Sequence, residues 1–464
     1  MVLEFQWFFS YFFPSIGFLL AVFLFWHILR SERSPSSTLA WLLAIFFIPY
    51  IAIPLFVMFG GRKTKKMVAL KQSFIELEGQ DVHSTRGEER LLPGRVHGIF
   101  PLQGNNEITL LLDGVVAYRE LSKLLLSAQH SICITTFILL NDETGEAILS
   151  ILTQKAKKGV TVRLLLDALG SYKISRQFLA DFKSAGGQYS FFMPMLHIPF
   201  RGRANLRNHR KMVLVDQRVG VVGGMNLSRE SMGKAPSTKR WRDLSFLVKG
   251  PILKPLYNVF MSDWKFSSKE VLCFRDEDFL LEKTESNELL QLMPSGPDVG
   301  GDPLHESIIA SFFSATKRIW VVTPYFVPDE ILMRSFCIAA RRGIDVRVIF
   351  PLKSNHLLAD LVRNDYLRDI SKAGGTVFGY KPGMLHAKLI IIDDELAISG
   401  SANMDMRSLF LNYELAFFIH SEKKVDELAS WTQNLMDHSE QGVKKASPIL
   451  EVFEGVGRLF APLV

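Results

Sequence analysis

Two long apolar runs dominate the start of the chain. They cover residues 5–29 and 39–60, and neither contains Asp, Glu, Lys or Arg. Each run is long enough to cross a hydrocarbon core of about 30 Å as a helix. The pattern therefore predicts a membrane region with a transmembrane helical hairpin over residues 1–61. A re-entrant second segment is the alternative, because Pro49 and Pro54 lie inside that run.

Basic residues are denser after the second run than between the two runs. Arg30 and Arg33 lie in the loop, whereas the chain beyond residue 61 continues with Arg62, Lys63, Lys65 and Lys66. Cytoplasmic segments beside a membrane carry the excess of lysine and arginine, so both chain ends are predicted to be cytoplasmic. A cleaved signal peptide fits poorly, because no basic segment precedes the first run and a second run follows it.

Beyond this region, a polar stretch of mixed charge predicts a linker over residues 62–103, and the sequence then repeats itself. Three segments recur in the same order, namely 124–139 with 311–326, 155–167 with 339–351, and 184–192 with 372–380. In each copy, apolar strand-like stretches alternate with helix-like ones. The pattern predicts α/β units with a largely parallel sheet, duplicated as a first half over 104–280 and a second half over 281–464.

Composition narrows the class of protein. Of the 464 residues, 48% are hydrophobic and 22% are charged, which excludes a disordered chain. The formal charge of +7 favours an anionic partner, either nucleic acid or an acidic membrane surface. The cysteines Cys133, Cys273 and Cys337 are widely spaced and form no CxxC pattern, so neither a disulfide framework nor a structural zinc site is predicted.

The repeat also carries a duplicated polar motif. Residues 208–216 read NHRKMVLVD and residues 385–393 read LHAKLIIID. Side chains two positions apart on a strand project from the same face. Each copy therefore presents an imidazole beside an ammonium group, and these pairs are His209 with Lys211 and His386 with Lys388.

The aspartate that ends each motif, Asp216 or Asp393, follows its histidine by seven residues. This odd separation turns the carboxylate to the opposite face of a regular strand. We therefore expect both aspartates to hold the adjacent turn or a neighbouring basic group.

Further polar residues recur at matching places in both halves. Asn226 and Asn403 each follow the motif histidine by 17 residues, and small residues precede them. Small residues allow a ligand to approach the backbone closely. Asp243 and Glu414 then supply one carboxylate per half, and a histidine that must keep one tautomer needs such a partner.

This set of groups suits a phosphodiester, provided that the two halves share one pocket. One imidazole would attack phosphorus, the other would protonate the leaving oxygen, and lysines and amides would stabilise the non-bridging oxygens. No metal or cofactor is predicted, because the lysines supply positive charge and would repel a metal cation.

The paired HxKx4D motifs resemble those of the phospholipase D superfamily. Nearly the whole sequence is similar to the bacterial cardiolipin synthases within it, from the membrane region to the terminal RLFAPLV. The resemblance implies two duplicated phospholipase D-like α/β sandwich halves that face each other, preceded by the transmembrane hairpin. It also implies a multi-pass protein of the bacterial cytoplasmic (inner) membrane, with its catalytic domain on the cytoplasmic side.

The resemblance also implies a role for each site residue. Its catalytic set comprises both motifs, namely His209, Lys211, Asp216, His386, Lys388 and Asp393. His209 would be the nucleophile, and His386 would be the general acid and base. The two lysines and the phosphate-binding Asn226 and Asn403 would contact the substrate. The two carboxylates would orient the histidines, in the pairs Asp243 with His209 and Glu414 with His386.

The implied reaction converts two phosphatidylglycerol molecules into cardiolipin and glycerol through a phosphatidyl-histidine intermediate. It needs no cofactor and no nucleic acid. A phospholipase D hydrolase, with water as the acceptor, is the first alternative. A membrane-tethered nuclease is less favoured because no nucleic-acid-binding module is recognisable. A non-catalytic lipid-binding scaffold is least favoured because both motifs are intact.

Overall fold

The computed structural model describes residues 15, 18, 20, 22–30, 35–59, 100–193, 206–273, 279, 286–443 and 445–459. Most of the predicted linker and much of the first apolar run lie outside these residues. The described residues up to Phe59 belong to one compact unit, while the described residues of both sequence repeats belong to the other.

The described N-terminal residues are helical. Residues 22–29 form α1, Pro35–Phe47 form α2, and Pro49–Phe59 form α3. The second apolar run is thus two helices that meet at Ile48, because the residue before a proline is disfavoured in helical geometry. A search of the described helices found none whose length and apolar character suffice to cross a membrane.

The two halves contain the same elements in nearly the same order. The first half consists of β1 (Gln103–Leu111), α4 (Gly114–Ser127), β2 (Ser131–Thr136), α5 (Glu143–Lys157), β3 (Thr161–Asp167), α6 (Ala180–Ser184), β4 (Gln188–Phe192), β5 (Met212–Val215), β6 (Val219–Gly223), β7 (Ser245–Lys249) and α7 (Leu253–Ser268). The second half begins with β8 (Glu288–Ser295), α8 (Pro303–Ser314), β9 (Arg318–Val322), β10 (Phe326–Val327), α9 (Glu330–Arg341), β11 (Asp345–Pro351), α10 (Leu357–Lys372) and β12 (Thr376–Tyr380). It continues with β13 (Leu389–Ile392), β14 (Leu396–Gly400), β15 (Met404–Asp405), α11 (Met406–Phe410), β16 (Glu414–Ile419), α12 (Glu422–Asp437), β17 (Ser439–Gln441) and α13 (Pro448–Leu459).

Sheet topology confirms the duplication. The strand order is β1-β7-β6-β5-β2-β3-β4 in the first half and β8-β16-β14-β13-β9-β11-β12 in the second. Antiparallel pairing of β1 with β8 joins the halves side by side into one 15-stranded sheet. The prediction of a largely parallel sheet was wrong. Antiparallel pairs connect β1, β7, β6, β5 and β2 in the first half, and β8, β16, β14 and β13 in the second. Tight turns after β5 and β13 force the chain to return beside itself, which makes these pairs antiparallel.

Both faces of the sheet are buried. In β2, Ile132 and Ile134 join the core beneath α4 and α5, while Cys133 between them joins a core that contains residues of both halves. This alternation is the two-residue period of a strand. The second half has its own core beneath α8, α9 and α10. Each half is therefore a helix–sheet–helix sandwich, and the halves share one central core.

The register places the motifs at one edge of the sheet. Thr135, near the carboxyl end of β2, pairs with Met212, and Val322 at the end of β9 pairs with Leu389. The histidine and lysine of each motif come just before Met212 or Leu389 in the chain. They therefore lie at the strand ends rather than within the strands, a difference from the expected placement.

Candidate active site

Reciprocal backbone bonds bring the two motifs together at the seam between the halves. The His209 amide donates to the Tyr413 carbonyl at 2.9 Å, and the His386 amide donates to the Arg242 carbonyl at 2.7 Å. In each case, the residue that follows the acceptor carries the carboxylate of the other half. The backbone thus places each motif histidine beside the carboxylate of the opposite repeat.

The side chains complete this crossed arrangement. Nδ1 of His209 lies 3.0 Å from a carboxylate oxygen of Glu414, and Nδ1 of His386 lies 2.6 Å from Oδ2 of Asp243. The expected pairing, Asp243 with His209 and Glu414 with His386, was wrong. Each carboxylate comes shortly after its own histidine in the chain, but the seam pairs that segment with the other half. A carboxylate on Nδ1 fixes the tautomer that leaves the Nε2 lone pair free.

Both imidazoles are held neutral. Burial is the main cause that lowers their pKa, to about 3 for His386 and in the same direction for His209. For His209, Glu414 partly opposes this effect, while Lys211 and Lys388 reinforce it. Lys388 and Lys211 likewise lower the pKa of His386, against the opposing effect of Asp243. Each lysine therefore acts on the histidine of the opposite half, as expected of four groups that share one site.

The two lysines are buried beside the histidines. Burial lowers the pKa of Lys211 to about 7 and that of Lys388 to about 8. Nζ of Lys211 donates to the His209 carbonyl at 2.6 Å, and Nζ of Lys388 lies 2.9 Å from Nδ1 of His386. An anion bound between them would favour their charged forms. Among the described residues, no group of three or more His, Cys, Asp or Glu side chains is placed to hold a metal ion.

The two asparagines line the loops behind the motifs. Asn226 is buried, and its Oδ1 accepts from the Ile138 amide at 3.1 Å. Asn403 is also buried, and its Nδ2 donates to Ser408 Oγ at 3.1 Å. The Nδ2 group of Asn226 remains a donor, which is the polarity that a phosphate oxygen requires. Direct contact between these asparagines and a phosphate stays a prediction.

The motif aspartates lie at the opposite edge of the sheet, where β2 and β9 begin. Asp216 accepts from three consecutive backbone amides, those of Gln129, His130 and Ser131. Asp393 does the same for Thr316, Lys317 and Arg318. The structure thus does not bring these two carboxylates beside the motif histidines, and their part in the catalytic set stays a prediction. The structural role inferred from the odd spacing agrees with this placement, since each carboxylate anchors the chain that enters a central strand.

Sequence reasoning missed a buried ion pair inside the first motif. Arg210, between His209 and Lys211, is 1% exposed and donates from Nη1 to Asp263 Oδ1 at 2.9 Å. Its Nε also donates to the Glu414 carbonyl at 3.0 Å. The available signal was alternation, because a residue between two site-facing residues points towards the core. Arg210 thus holds the backbone of the carboxylate that contacts His209.

Aromatic side chains next to the imidazoles were also missed. The ring of Phe137 packs edge-on against His209, with centroids 4.8 Å apart, and Trp241 lies at the same distance from His386. Phe137 follows β2 directly, so its position after a buried strand was a usable signal. Trp241 belongs to the first half but contacts the histidine of the second, which no spacing in the sequence indicates.

A duplicated mixed-sheet α/β scaffold with one buried His–Lys pair from each repeat defines a phospholipase D-like protein. The family described as "Cardiolipin synthase, PLD-like domain" matches residues 121–264 and 308–436. A second family, "Phospholipase_D-nuclease N-terminal", matches residues 19–61. The chain belongs to the cardiolipin synthase family of phospholipase D-like proteins.

Curated relatives and solved structures agree with this assignment. The cardiolipin synthase of Alkalihalophilus pseudofirmus is 32% identical over 97% of this chain and 93% of its own length. Cardiolipin synthase 1 of Bacillus cereus is 31% identical over 93% of this chain and 90% of its own. Phosphatidylserine synthase of Haemophilus influenzae has the same fold, with a TM-score of 0.61 at 14% identity over 82% of this chain and 99% of that one.

Proposed function

We propose that this phosphatidyltransferase joins two phosphatidylglycerol molecules into cardiolipin and releases glycerol. One observation carries the proposal. Two buried imidazoles, one from each repeat, are each bonded through Nδ1 to a carboxylate of the other repeat. With the two lysines, this arrangement supplies a nucleophile, a proton carrier and positive charge around one phosphodiester. Family membership supports phospholipids as the substrates and cardiolipin as the product.

The first step forms a covalent intermediate. Nε2 of His209 attacks the phosphorus atom of the first phosphatidylglycerol, and the bond from phosphorus to the glycerol headgroup oxygen breaks. His386 gives a proton to that oxygen, so glycerol leaves as a neutral alcohol. Glu414 accepts from Nδ1–H of His209 and stabilises the positive charge that the ring gains.

The second step regenerates the enzyme. His386 removes the proton from a headgroup hydroxyl of the second phosphatidylglycerol, whose oxygen attacks the phosphorus atom. The bond from phosphorus to His209 breaks, and cardiolipin is released. One phosphodiester replaces another, so the exchange needs no nucleotide. A lipid acceptor held beside the intermediate competes with water through its effective concentration.

The negative charge of the substrate prepares the site for these two steps. Burial lowers the pKa of His386 to about 3 and that of Lys211 to about 7, so the buried site disfavours added protons. A phosphodiester brings a negative charge, which raises the pKa of each nearby base. Binding of the first lipid therefore promotes the protonation of His386 that the leaving glycerol requires.

The proposal includes a membrane location, namely the bacterial cytoplasmic (inner) membrane with the catalytic unit on the cytoplasmic side. Support comes from the apolar N-terminal runs and the basic residues that follow them. Large apolar side chains are also exposed on the described N-terminal helices, including Phe23, Phe46 and Tyr50. Confinement at a bilayer would bring both lipid substrates to one enzyme.

Purified enzyme supplied with headgroup-labelled and acyl-labelled phosphatidylglycerol tests the reaction. Cardiolipin and free glycerol should appear in equal amounts, with little phosphatidic acid, and EDTA should leave the rate unchanged. Phosphatidic acid as the main lipid product would instead identify a hydrolase. Cleavage of DNA into shorter fragments without any lipid product would identify a nuclease and contradict the proposal.

A further inference from the structure

The helix α13 (Pro448–Leu459) has the reverse of the polarity expected for a surface helix. Its buried positions are Glu454, which is 1% exposed, and Gly457. Glu454 pairs with Arg368 of α10, and Arg458 pairs with Asp365 at 2.5 Å. Surface helices normally turn their apolar stripe to the core and their charges to water. On α13, charged groups face the protein instead.

The apolar residues of α13 face outward. Ile449, Val452, Phe453 and Val456 are 50–72% exposed and follow the i, i+3, i+4, i+7 spacing of a single helical stripe. The ion pairs and the close approach of Gly457 already hold the helix against α10. Folding therefore does not require four large apolar side chains on the exposed face. The outward direction of the stripe indicates an apolar environment outside the protein.

The helix also leads towards the site. Glu454 contacts Arg368, and Gly457 approaches Val362, so α13 runs antiparallel to α10 and its carboxyl end lies near the start of α10. That start follows β11, which is parallel to β9. The motif lysine and histidine of the second half lie at this same edge. The carboxyl end of α13 therefore lies at the end of the second half that holds the catalytic groups, and the stripe extends from Val456 away from that end.

We propose that α13 lies in the interface of a phospholipid bilayer, with its apolar stripe among the acyl chains. A short amphipathic helix binds in this way when basic residues flank its apolar face. Lys445 before the helix and Lys353 before α10 are exposed and suit an anionic lipid surface. The inference rests on the proposed function, because the proposed substrates are bilayer lipids. Its effect is to hold the α10 side of the second half against the membrane surface, with the carboxyl end of α13 directed towards the site edge.

Enzyme activity in two substrate forms tests the inference in the full chain. The double variant Val452→Gln/Phe453→Gln removes half of the stripe without adding charge. In vesicles of phosphatidylglycerol and phosphatidylcholine, its cardiolipin formation should fall about fivefold, while activity on detergent-dispersed phosphatidylglycerol should stay within about twofold. Phe313→Gln is the matched control, because Phe313 is equally apolar and 50% exposed but lies on α8 rather than on α13.

These readouts separate the two proposals. Loss in vesicles alone supports the interfacial helix, whereas equal vesicle rates for the double variant and the control overturn it. Absence of cardiolipin from the wild-type enzyme in both substrate forms would instead defeat the proposed function. A change of oligomeric state in the double variant, with vesicle activity retained, would assign the stripe to a second copy of the chain and overturn the membrane role.

A direct contact measurement covers the case in which the activity change has another cause. An environment-sensitive fluorophore on Val456→Cys, in a Cys273→Ser background, should be quenched several-fold more by brominated phosphatidylcholine than the same fluorophore on Phe313→Cys. Brominated acyl chains quench only probes that they contact. Equal quenching at the two positions would show that α13 does not enter the bilayer.

Discussion

The two halves of the catalytic unit share a scaffold but support their histidines differently. Both have the same strand order, the same His–Lys spacing, and an aspartate that caps a central strand. In each, the threonine hydroxyl at the end of the first parallel strand donates to the carbonyl two residues further on, from Thr136 to Ile138 and from Thr323 to Tyr325. The backbone is thus nearly two-fold symmetric, and the differences lie in side chains.

The carboxylate partners show one such difference. A Cβ atom at Gly224 would lie 2.3 Å from Oδ1 of Asp243, so the shorter carboxylate fits only against glycine. The equivalent position of the second half is Ser401, whose hydroxyl donates to Glu414 at 2.5 Å. Glycine with aspartate and serine with glutamate are therefore matched pairs. Each pair orients one imidazole. The further hydrogen bond to Glu414 comes from the Ser401 side chain, whereas Asp243 accepts from the Leu244 backbone amide at 2.8 Å.

The residue between histidine and lysine shows a second difference. Arg210 in the first motif is tied to Asp263 and to the Glu414 backbone, whereas Ala387 in the second motif is a small buried residue. The His209 motif is thus held by a buried charged network, and the His386 motif by apolar packing. A nucleophile must hold its position through two displacements, which is consistent with the firmer support of His209.

The largest expected effects separate the two histidines. His209→Ala should lower cardiolipin formation at least about 10⁴-fold and remove covalent labelling by ³²P-phosphatidylglycerol, because the nucleophile is lost. His386→Ala should also be nearly inactive with phosphatidylglycerol. It should still become covalently labelled by a substrate whose leaving group needs little protonation. Labelling of both variants, quenched with SDS at mildly alkaline pH because the phosphorus–nitrogen bond is acid-labile, measures this with wild type as reference. Label on His209→Ala together with none on His386→Ala would reverse the assignment.

The crossed carboxylates should give the next largest effects. Glu414→Gln should lower turnover about 10²- to 10³-fold by disturbing the tautomer of His209, and should slow covalent labelling. Asp243→Asn should slow turnover similarly, while labelling by a substrate whose leaving group needs little protonation stays closer to normal, because its imidazole is His386. Rapid-quench labelling distinguishes the two steps. Fast labelling in Glu414→Gln with slow labelling in Asp243→Asn would contradict the crossed pairing.

The duplication and the paired motifs could be predicted from the sequence, but the contacts at the seam between the halves could not. Repeated segments and equal spacings predict two similar halves, because they reflect local structure. The strands β1 and β8, which join the halves, have no motif that marks them as partners. Likewise, Asp243 and Glu414 follow their own histidines in the chain, so their contact with the opposite half depends on tertiary pairing alone.

The spacing within the motif predicted on which side of the strand the two motif aspartates lie. Seven residues from histidine to aspartate place the carboxylate on the other face, and the structure puts Asp216 and Asp393 at the far edge of the sheet. Arg210 obeys the same alternation but was overlooked because charged residues are seldom fully buried. Trp241 was not predictable at all, since its contact with His386 crosses the seam.

The buried lysines should differ in their cost to stability. Burial lowers the pKa of Lys211 to about 7 and that of Lys388 to about 8, both below the unfolded value, so protonation destabilises the fold. The cost is fully present below the folded pKa and declines as the pH rises towards the unfolded value. Stability of the wild type should therefore increase between about pH 7 and pH 9.

Replacement by methionine tests this comparison. At neutral pH, Lys211→Met should stabilise the protein more than Lys388→Met, by about 1 kcal/mol, because its pKa is lowered further. Both variants should lose at least about 10²-fold in activity, since the phosphate loses a cation. Thermal unfolding of the detergent-solubilised full chain at several pH values measures the effect. A wild-type Tm that does not rise with pH would contradict the burial of charged lysines.

The smallest effects are expected at the motif aspartates, where the second half has one extra bond. Asp393 accepts from Thr316 Oγ1 at 2.8 Å in addition to three backbone amides, whereas three backbone amides of the described residues donate to Asp216. Asp216→Asn should lower the free energy of unfolding by about 1–2 kcal/mol, and Asp393→Asn by somewhat more. Activity of the folded variants should stay within about threefold, because neither carboxylate touches the site.

Acid sensitivity provides the sharper measurement for Asp393. Burial alone would raise the pKa of this carboxyl, but the amides of Arg318, Lys317 and Thr316 outweigh it and lower the pKa. The stabilisation is therefore present above the unfolded pKa and is lost as the pH falls through the lower folded pKa. The difference in Tm between wild type and Asp393→Asn should shrink in acid. Asp394→Asn is the control, because its pair with Lys317 is exposed to solvent and should contribute little to stability. Complete loss of activity in Asp393→Asn with an unchanged Tm would place the aspartate in the catalytic set.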